Sequence, residues 1–222
     1  MFTIDTPENT VEQKPNYAFI DASNLFYGGE KSLGWRIDYL KLLKYLKSKY
    51  GVKEAFYFGG VEIYDFEYNY LLNHTVPLDQ LNDYLENLVE TCAKDLNEAQ
   101  LFLIGRHLQR VKFYLRLQTF GYKLFLKPVK IYSQDDGTTR RKANCDVDMA
   151  FYLMKEQEYY TNAVILSGDG DFLPVLKYLK ESGKEVIILA RGERTSRELR
   201  QFAGPNFRDF VRLRNQLEYK GK

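Results

Sequence analysis

Ala163-Val-Ile-Leu-Ser-Gly-Asp-Gly-Asp-Phe-Leu-Pro-Val175 is the stretch from which the fold of this chain is read. Ala163 to Leu166 is apolar without alternation, which suits a strand covered on both faces, the habit of parallel sheets. Ser167-Gly-Asp-Gly170 then turns the chain, with the glycines permitting backbone angles that other residues avoid. Asp171 suits the N-cap of a helix starting at Phe172, with Pro174 in its first turn, and it equally suits a site. Asp169 has no such local duty. A carboxylate at the carboxyl end of a buried parallel strand lies where open α/β sheets bind ligands.

Outward from that stretch the same pattern returns. Tyr17-Ala-Phe-Ile-Asp21 is a short apolar run ending in an acid, followed by small and polar residues. Helical spacing of Ile37, Leu40, Leu43 and Leu46 predicts a helix over 37–50, closed by Gly51, and Glu54–Phe58 reads as the second strand. Pro77–Glu98 carries Leu78, Leu81, Leu85, Leu88, Cys92 and Leu96 on one stripe, and Arg106–Phe120 reads as another helix. The chain between about 61 and 105 is longer than a crossover needs and is taken as a helical insertion. Before it, Tyr64-Asp-Phe-Glu-Tyr-Asn-Tyr70 alternates aromatic with polar residues, a row that either docks on the core or stacks unpaired bases.

Tyr122–Pro128 is a third strand. Val129–Ser133 and Thr138–Lys142, around the turn signal Asp135-Asp-Gly137, form a hairpin arm carrying Lys127, Lys130, Arg140, Arg141 and Lys142. Solvated or phosphate-gripping, this arm leads into Asp146. Asn144 is read as the N-cap of a helix over 146–159 with Val147, Ala150, Phe151 and Met154 inward. Asp146 and Asp148 stand two apart and cannot face one point; Asp146 shares its side with Met149, Ala150 and Leu153, closer to the body. Helices over 172–182 and 196–202 and strands over 185–190 and 207–211 complete the chain. Alternating strands and helices imply an α/β domain with a mainly parallel sheet wrapped on both faces. The seven arginines from Arg191 to Arg214 form either a second basic surface or a solvated face.

The 222 residues suit one such domain over 16–222, with a flexible tail over 1–15. A net charge of +2 excludes a strongly basic, nonspecific polyanion binder, but leaves room for a local basic face. Cys92 and Cys145 lack any CxxC spacing, and His74 and His107 are the only histidines, so neither a disulfide framework nor a zinc site is suggested. The start has no apolar signal core and no stretch reaches the length of a membrane span, so a cytoplasmic setting is expected. The aromatic-rich insertion could serve as a homodimer surface.

Asp21, Asp169, Asp171 and either Asp146 or Asp148 follow parallel strands or head the helix between them, so their carboxyl groups converge at one sheet edge. Crowded carboxylates oppose joint ionisation unless a cation neutralises them. All-oxygen ligands select Mg2+ or Mn2+ over zinc, and the implied chemistry is metal-assisted hydrolysis of a phosphate ester. Tyr17–Leu25, Lys142–Ala150 and Val164–Pro174 resemble, in order, the motifs of NYN domains, a PIN-like ribonuclease family that includes the bacterial LabA-type proteins. The resemblance implies a PIN-like three-layer sandwich and a metal-dependent endoribonuclease acting on RNA, single-stranded by expectation. It also implies Asp21, Asp146, Asp169 and Asp171 as metal ligands and Asn24 as a catalytic partner, with Ser167 and Asp148 behind them. Ala22 stands where the family commonly has glycine. The rival within the resemblance is a non-catalytic RNA-binding or assembly module.

Other families fit poorly. A haloacid-dehalogenase phosphatase needs an acid where Ser23 stands, a metal-adhesion Asp-x-Ser-x-Ser site fails at Leu25, and a dinucleotide-binding domain needs Gly-x-Gly-x-x-Gly after the first strand.

Overall fold

Strands without polar alternation need cover on two faces, and the chain supplies it. The computed structural model describes residues 14–26, 33–92, 96–133 and 138–221. In chain order the elements are β1 (Asn16–Asp21), α1 (Tyr39–Tyr50), β2 (Val52–Val61), α2 (Leu78–Cys92), α3 (Glu98–Phe120), β3 (Tyr122–Pro128), β4 (Lys130–Ser133), β5 (Thr139–Lys142), α4 (Asp146–Lys155), β6 (Asn162–Leu166), α5 (Leu173–Glu181), β7 (Glu185–Ala190), α6 (Arg197–Ala203), β8 (Phe207–Asp209) and α7 (Arg214–Leu217). Six strands pair in parallel in the order β3-β2-β1-β6-β7-β8, while β4 and β5 make a separate antiparallel arm.

Successive strand residues point to opposite faces, which builds two cores. Ala18, Ile20, Tyr57 and Val164 face α1, α2, α3 and α7 through Leu42, Leu46, Leu81, Leu85, Val111 and Leu217. Phe19, Phe56, Phe58 and Ile165 face α4, α5 and α6 through Met149, Leu153, Leu176, Leu179 and Leu199. The fold is thus a three-layer α/β sandwich, as the sequence predicts. Helices change face where the strand order reverses, between β1 and β6, because right-handed crossovers running in opposite directions put their helices on opposite sides. The carboxyl ends of those two strands flank the switch point, where open sheets bind ligands.

Several boundaries differ from the sequence expectation for identifiable reasons. Helix α3 begins at Glu98, well before Arg106, because Asn97 and Gln100 form a reciprocal capping box (2.9 and 3.0 Å). The β2–β3 crossover therefore holds two long helices. Asn144 does not cap α4; Cys145 holds that position with no side-chain bond. The inward phase of α4 is Cys145, Met149 and Leu153, whereas Val147 and Phe151 are 66% and 57% exposed. The helix ends at Lys155 and continues only as a 3-10 turn over Gln157–Tyr159. The last strand stops at Asp209.

Tyr64, Phe66 and Tyr68 dock on the core, while Tyr70, Leu71 and Leu72 at the end of the row are exposed. The segment after them covers the outer edge of β3: Leu126 N–H donates to Thr75 Oγ1 (2.8 Å) and Val76 N–H to the Leu126 carbonyl (3.0 Å). That removes an open sheet edge. At the amino end, Thr161 bonds to the carbonyls of Lys14 (2.6 Å) and Pro15 (2.8 Å). The rest of the expected tail and the turn at 135–137 lie outside the described residues. Among those described, no helix is long and apolar enough to cross a membrane.

Candidate active site

Asp21 ends β1, paired with Phe58 of β2, and Ile20 beside it pairs with Leu166 of β6. Ser167, the residue after Leu166, therefore arrives next to Asp21. The carboxylate is buried at 5% exposure and its two oxygens are used unequally. Oδ1 accepts from Ser23 N–H (3.0 Å), Ser23 O–H (2.8 Å) and Asn24 N–H (3.1 Å). Oδ2 accepts from Ser167 O–H (3.2 Å). The saturated oxygen caps the helical turn after β1. The other points across the gap between the turns following β1 and β6, toward Ser167.

Across that gap the two turns are tied. Ser167 Oγ accepts from Asp169 N–H (3.2 Å), and Asn24 Oδ1 accepts from Gly168 N–H (3.0 Å). Asp21, Asn24, Ser167 and Asp169 thus form one connected chain of bonds. Asp169 also takes the capping duty assigned from sequence to Asp171: its Oδ1 accepts from Asp171 N–H (3.0 Å), and helix α5 starts at Leu173 after a 3-10 turn. Asp171 is exposed. Capping alone is no mark of a site, because Asp209 after β8 caps Val211 N–H in the same way (3.0 Å). Asp21 and Asp169 differ in being cross-linked through Ser167.

The glycines of the turn have a different reason from the expected one. Neither Gly168 nor Gly170 has a positive φ. A Cβ on Gly168 would lie 2.8 Å from Thr195 Oγ1, 3.0 Å from Thr195 Cα and 3.1 Å from the Arg194 carbonyl oxygen; on Gly170 it would lie 2.9 Å from Ser196 Oγ. The turn is pressed against the loop after β7, where Ser196 N–H donates to the Gly168 carbonyl (3.0 Å) and Thr195 O–H to the Arg191 carbonyl (2.7 Å). Close approach, not unusual backbone angle, requires these glycines. Ala22 is accommodated similarly, since a Cβ on Gly59 would meet its methyl at 3.0 Å.

Asp146 and Asp148 head α4, half-buried. Asp148 is engaged by Lys127 at the end of β3 (2.5 Å), so this lysine of the expected basic set neutralises an acid of the site. Cys145 lies beneath them. Burial pushes its thiol up to about 12, with the negative charges of Asp148, Asp21 and Asp146 adding and Lys127 opposing. The acids after β1 and at the head of α4 therefore share one electrostatic neighbourhood. Lys130 lies 5.4 Å over the ring of Tyr70. Arg140, Arg141 and Lys142 stand on β5, with Tyr132, Ile131 and Lys130 as their backbone partners on β4.

The donors are carboxylate and amide oxygens, which fits a hard divalent cation and not a soft one. Among the described residues, no three His, Cys, Asp or Glu side chains enclose an ion-sized point. Sequence reasoning missed Ser23, Thr195 and Gly59. The Asp-x-Ser-Asn order carries a signal for Ser23, that of an Asx-type turn; Thr195 and Gly59 act by contacts distant in sequence.

The class of protein is given by a family model: the chain is a member of the NYN domain family, matched over residues 17–211. Among curated proteins it is similar to the Low amplitude and bright protein LabA of Synechococcus elongatus, 22% identical over 204 residues, covering 90% of this chain and 86% of that one. Among solved structures it is similar to a protein of unknown function from Vibrio parahaemolyticus, with TM-score 0.54, 16% identity and coverage of 86% and 90% of the two chains. A further likeness is to the T5 D15 protein co-crystallized with metal ions, with TM-score 0.42, 19% identity and coverage of 84% of this chain and 59% of that one.

Proposed function

We propose that this protein is a metal-dependent endoribonuclease that hydrolyses phosphodiester bonds of single-stranded RNA at the β1–β6 switch point. What supports the reading is the Asp21 carboxylate, buried and tied through the Ser167 hydroxyl to the backbone N–H of Asp169, so that acids after β1 and β6 are held in one network. Family membership supports the ribonuclease class.

Asp21, Asp146, Asp169 and Asp171 would hold Mg2+ or Mn2+. When bound there, such an ion would make its water more acidic and offset charge on the phosphate. The protein's own contribution is orientation. Ser167 aligns the Asp21 carboxylate with the Asp169 backbone, and Asn24 fixes the Gly168 peptide, so the acids on two turns keep their separation while substrate binds. The Lys127–Asp148 pair keeps one carboxylate of α4 from adding to the repulsion felt by a phosphate. Lys130 and the β5 residues Arg140, Arg141 and Lys142 would track the RNA backbone.

The second reading, a non-catalytic RNA-binding or assembly module, gains weight from the capping duties of Asp21 and Asp169. One assay separates the two. Purified protein with Mn2+ or Mg2+ should cut single-stranded RNA, and Asp169→Asn should reduce cutting at least about a hundredfold while RNA affinity changes little. Binding without cleavage under every metal condition would leave the module.

A further inference from the structure

Phe151 is the large residue of α4 that the hydrophobic pattern assigns to the core and the fold leaves 57% exposed. It does not stand on a bare surface. With Phe125, Tyr152, His74, Lys127 and Asp148 it lines an open pocket of about 80 Å3. The rings are continuous with the core: Phe58 stacks on Phe125 (5.2 Å between centroids), Phe125 meets Tyr152 (3.9 Å), and Phe151 stands edge-on to Tyr152 (5.4 Å, 85°). His74 is brought there by the segment whose Thr75 and Val76 bond the edge of β3.

Two features choose the occupant. The volume is far below the roughly 300–1,000 Å3 of pockets that enclose a small-molecule ligand, so the pocket takes the edge of a flat ring. Its walls alternate chemistry: aromatic faces, a lysine ammonium bonded to a carboxylate at 2.5 Å, and an imidazole. Aromatic walls beside a charged pair suit a heteroaromatic ring, whose face packs on the rings while its polar edge meets the Lys127–Asp148 pair. The pocket also borders the acids, since it shares Asp148 and Lys127 with the charges around Cys145. Phe151 lies three residues along α4 from Asp148, on the same side of the helix. Lys155 lies over the rings of Phe151 (5.9 Å) and Tyr152 (5.1 Å), adding a cation at the rim.

We propose that this pocket seats one nucleobase of single-stranded RNA, from a nucleotide flanking the scissile phosphate, stacked on Phe151. The proposal rests on the ribonuclease reading and deepens it. The pocket gives the enzyme a base to hold, and the Lys127–Asp148 edge gives it a means of preferring one base over another.

The test uses the full chain carrying Asp21→Asn, so that RNA stays intact, and a single-stranded oligoribonucleotide with 2-aminopurine at successive positions. Binding should quench 2-aminopurine at one position most strongly. Adding Phe151→Ala, a change at an exposed helical position that should leave the fold intact, should remove that quench. It should also weaken Kd roughly 5- to 150-fold, the value of one stacked base. The salt dependence of binding should stay the same, because no phosphate contact is lost. Phe151→Trp should restore both signals. Unchanged affinity and quench in Phe151→Ala, with RNA still bound and cut by the chain that retains Asp21, would overturn the base pocket alone. Absence of any RNA binding by the chain with Phe151 intact would overturn the ribonuclease reading, and this proposal with it.

Discussion

Gly168→Ala tests the clamp that holds the acidic turn. The added methyl would lie 2.8 Å from Thr195 Oγ1, which rotates only by giving up its bond to the Arg191 carbonyl, and 3.0 and 3.1 Å from Thr195 Cα and the Arg194 carbonyl, which cannot withdraw without moving the loop. Ordinary contact needs several tenths of an ångström more, so one turn must withdraw from the other. Overpacking of this kind costs about 1–3 kcal/mol. In a chain of 222 residues each kcal/mol shifts Tm by roughly 2–4 °C, giving a fall of about 2–12 °C by calorimetry. The same displacement strains the Gly168–Asn24 and Asp169–Ser167 bonds and separates Asp169 from Asp21. Misplacement approaching 1 Å costs up to about a hundredfold in turnover, so activity should fall more steeply than stability. Thr195→Ala should relieve the double variant only in part, because the two backbone contacts remain. Gly105→Ala on α3 is the control: nothing lies within 4 Å of the added Cβ, and stability should rise by about 0.5–1 kcal/mol. Wild-type Tm together with wild-type turnover in Gly168→Ala would refute the clamp.

Asp21→Ala should be about 1–3 kcal/mol less stable than Asp21→Asn in urea titrations, because it leaves the buried Ser167 hydroxyl without its acceptor and removes the cap from the Ser23 and Asn24 N–H groups. Equal stabilities would mean the carboxylate does not organise the turn. Burial holds the Cys145 thiol protonated, raised from 9.0 to about 12, so in a Cys92→Ser background native protein should resist iodoacetamide at pH 9 and react once denatured. The sign follows from linkage: above pH 9 the unfolded chain has lost this proton and the native chain has not. The thiol therefore lowers stability as pH rises toward 12, and rapid native alkylation at pH 9 would contradict its placement. Changing both Arg140 and Arg141 to Ala should weaken single-stranded RNA binding and flatten the slope of log K against log salt by about 1.4, at about 0.7 per phosphate contact. An unchanged slope would remove the β5 arm from the RNA path.

The sheet was legible because its strands are apolar on both faces, and a run such as Ala163–Leu166 has few other uses. Asp21 and Asp169 were legible for the same reason: a carboxylate ending a buried strand stands out. What lay hidden depended on partners distant in the chain. The phase of α4 misleads because Val147 and Phe151 follow a helical apolar spacing yet face outward, while Cys145 supplies the inward turn. Asp169 caps in place of Asp171 because a 3-10 turn from Gly170 precedes the helix that starts at Leu173, and hydrophobic spacing does not resolve that turn. Gly168 looks like a backbone-angle glycine until Thr195 is seen against it. Lys127 reads as part of a basic arm until Asp148 is found on it, since the pair joins β3 to α4.

The central claim is that the gap beside Asp21 is a cation site serving hydrolysis, and anomalous diffraction from crystals soaked in Mn2+ tests it most directly. The account predicts a peak within bonding distance of Asp21 Oδ2, between the turns after β1 and β6, that disappears in Asp21→Asn. A peak confined to other residues, or RNA cleavage that persists in chelator, would contradict it.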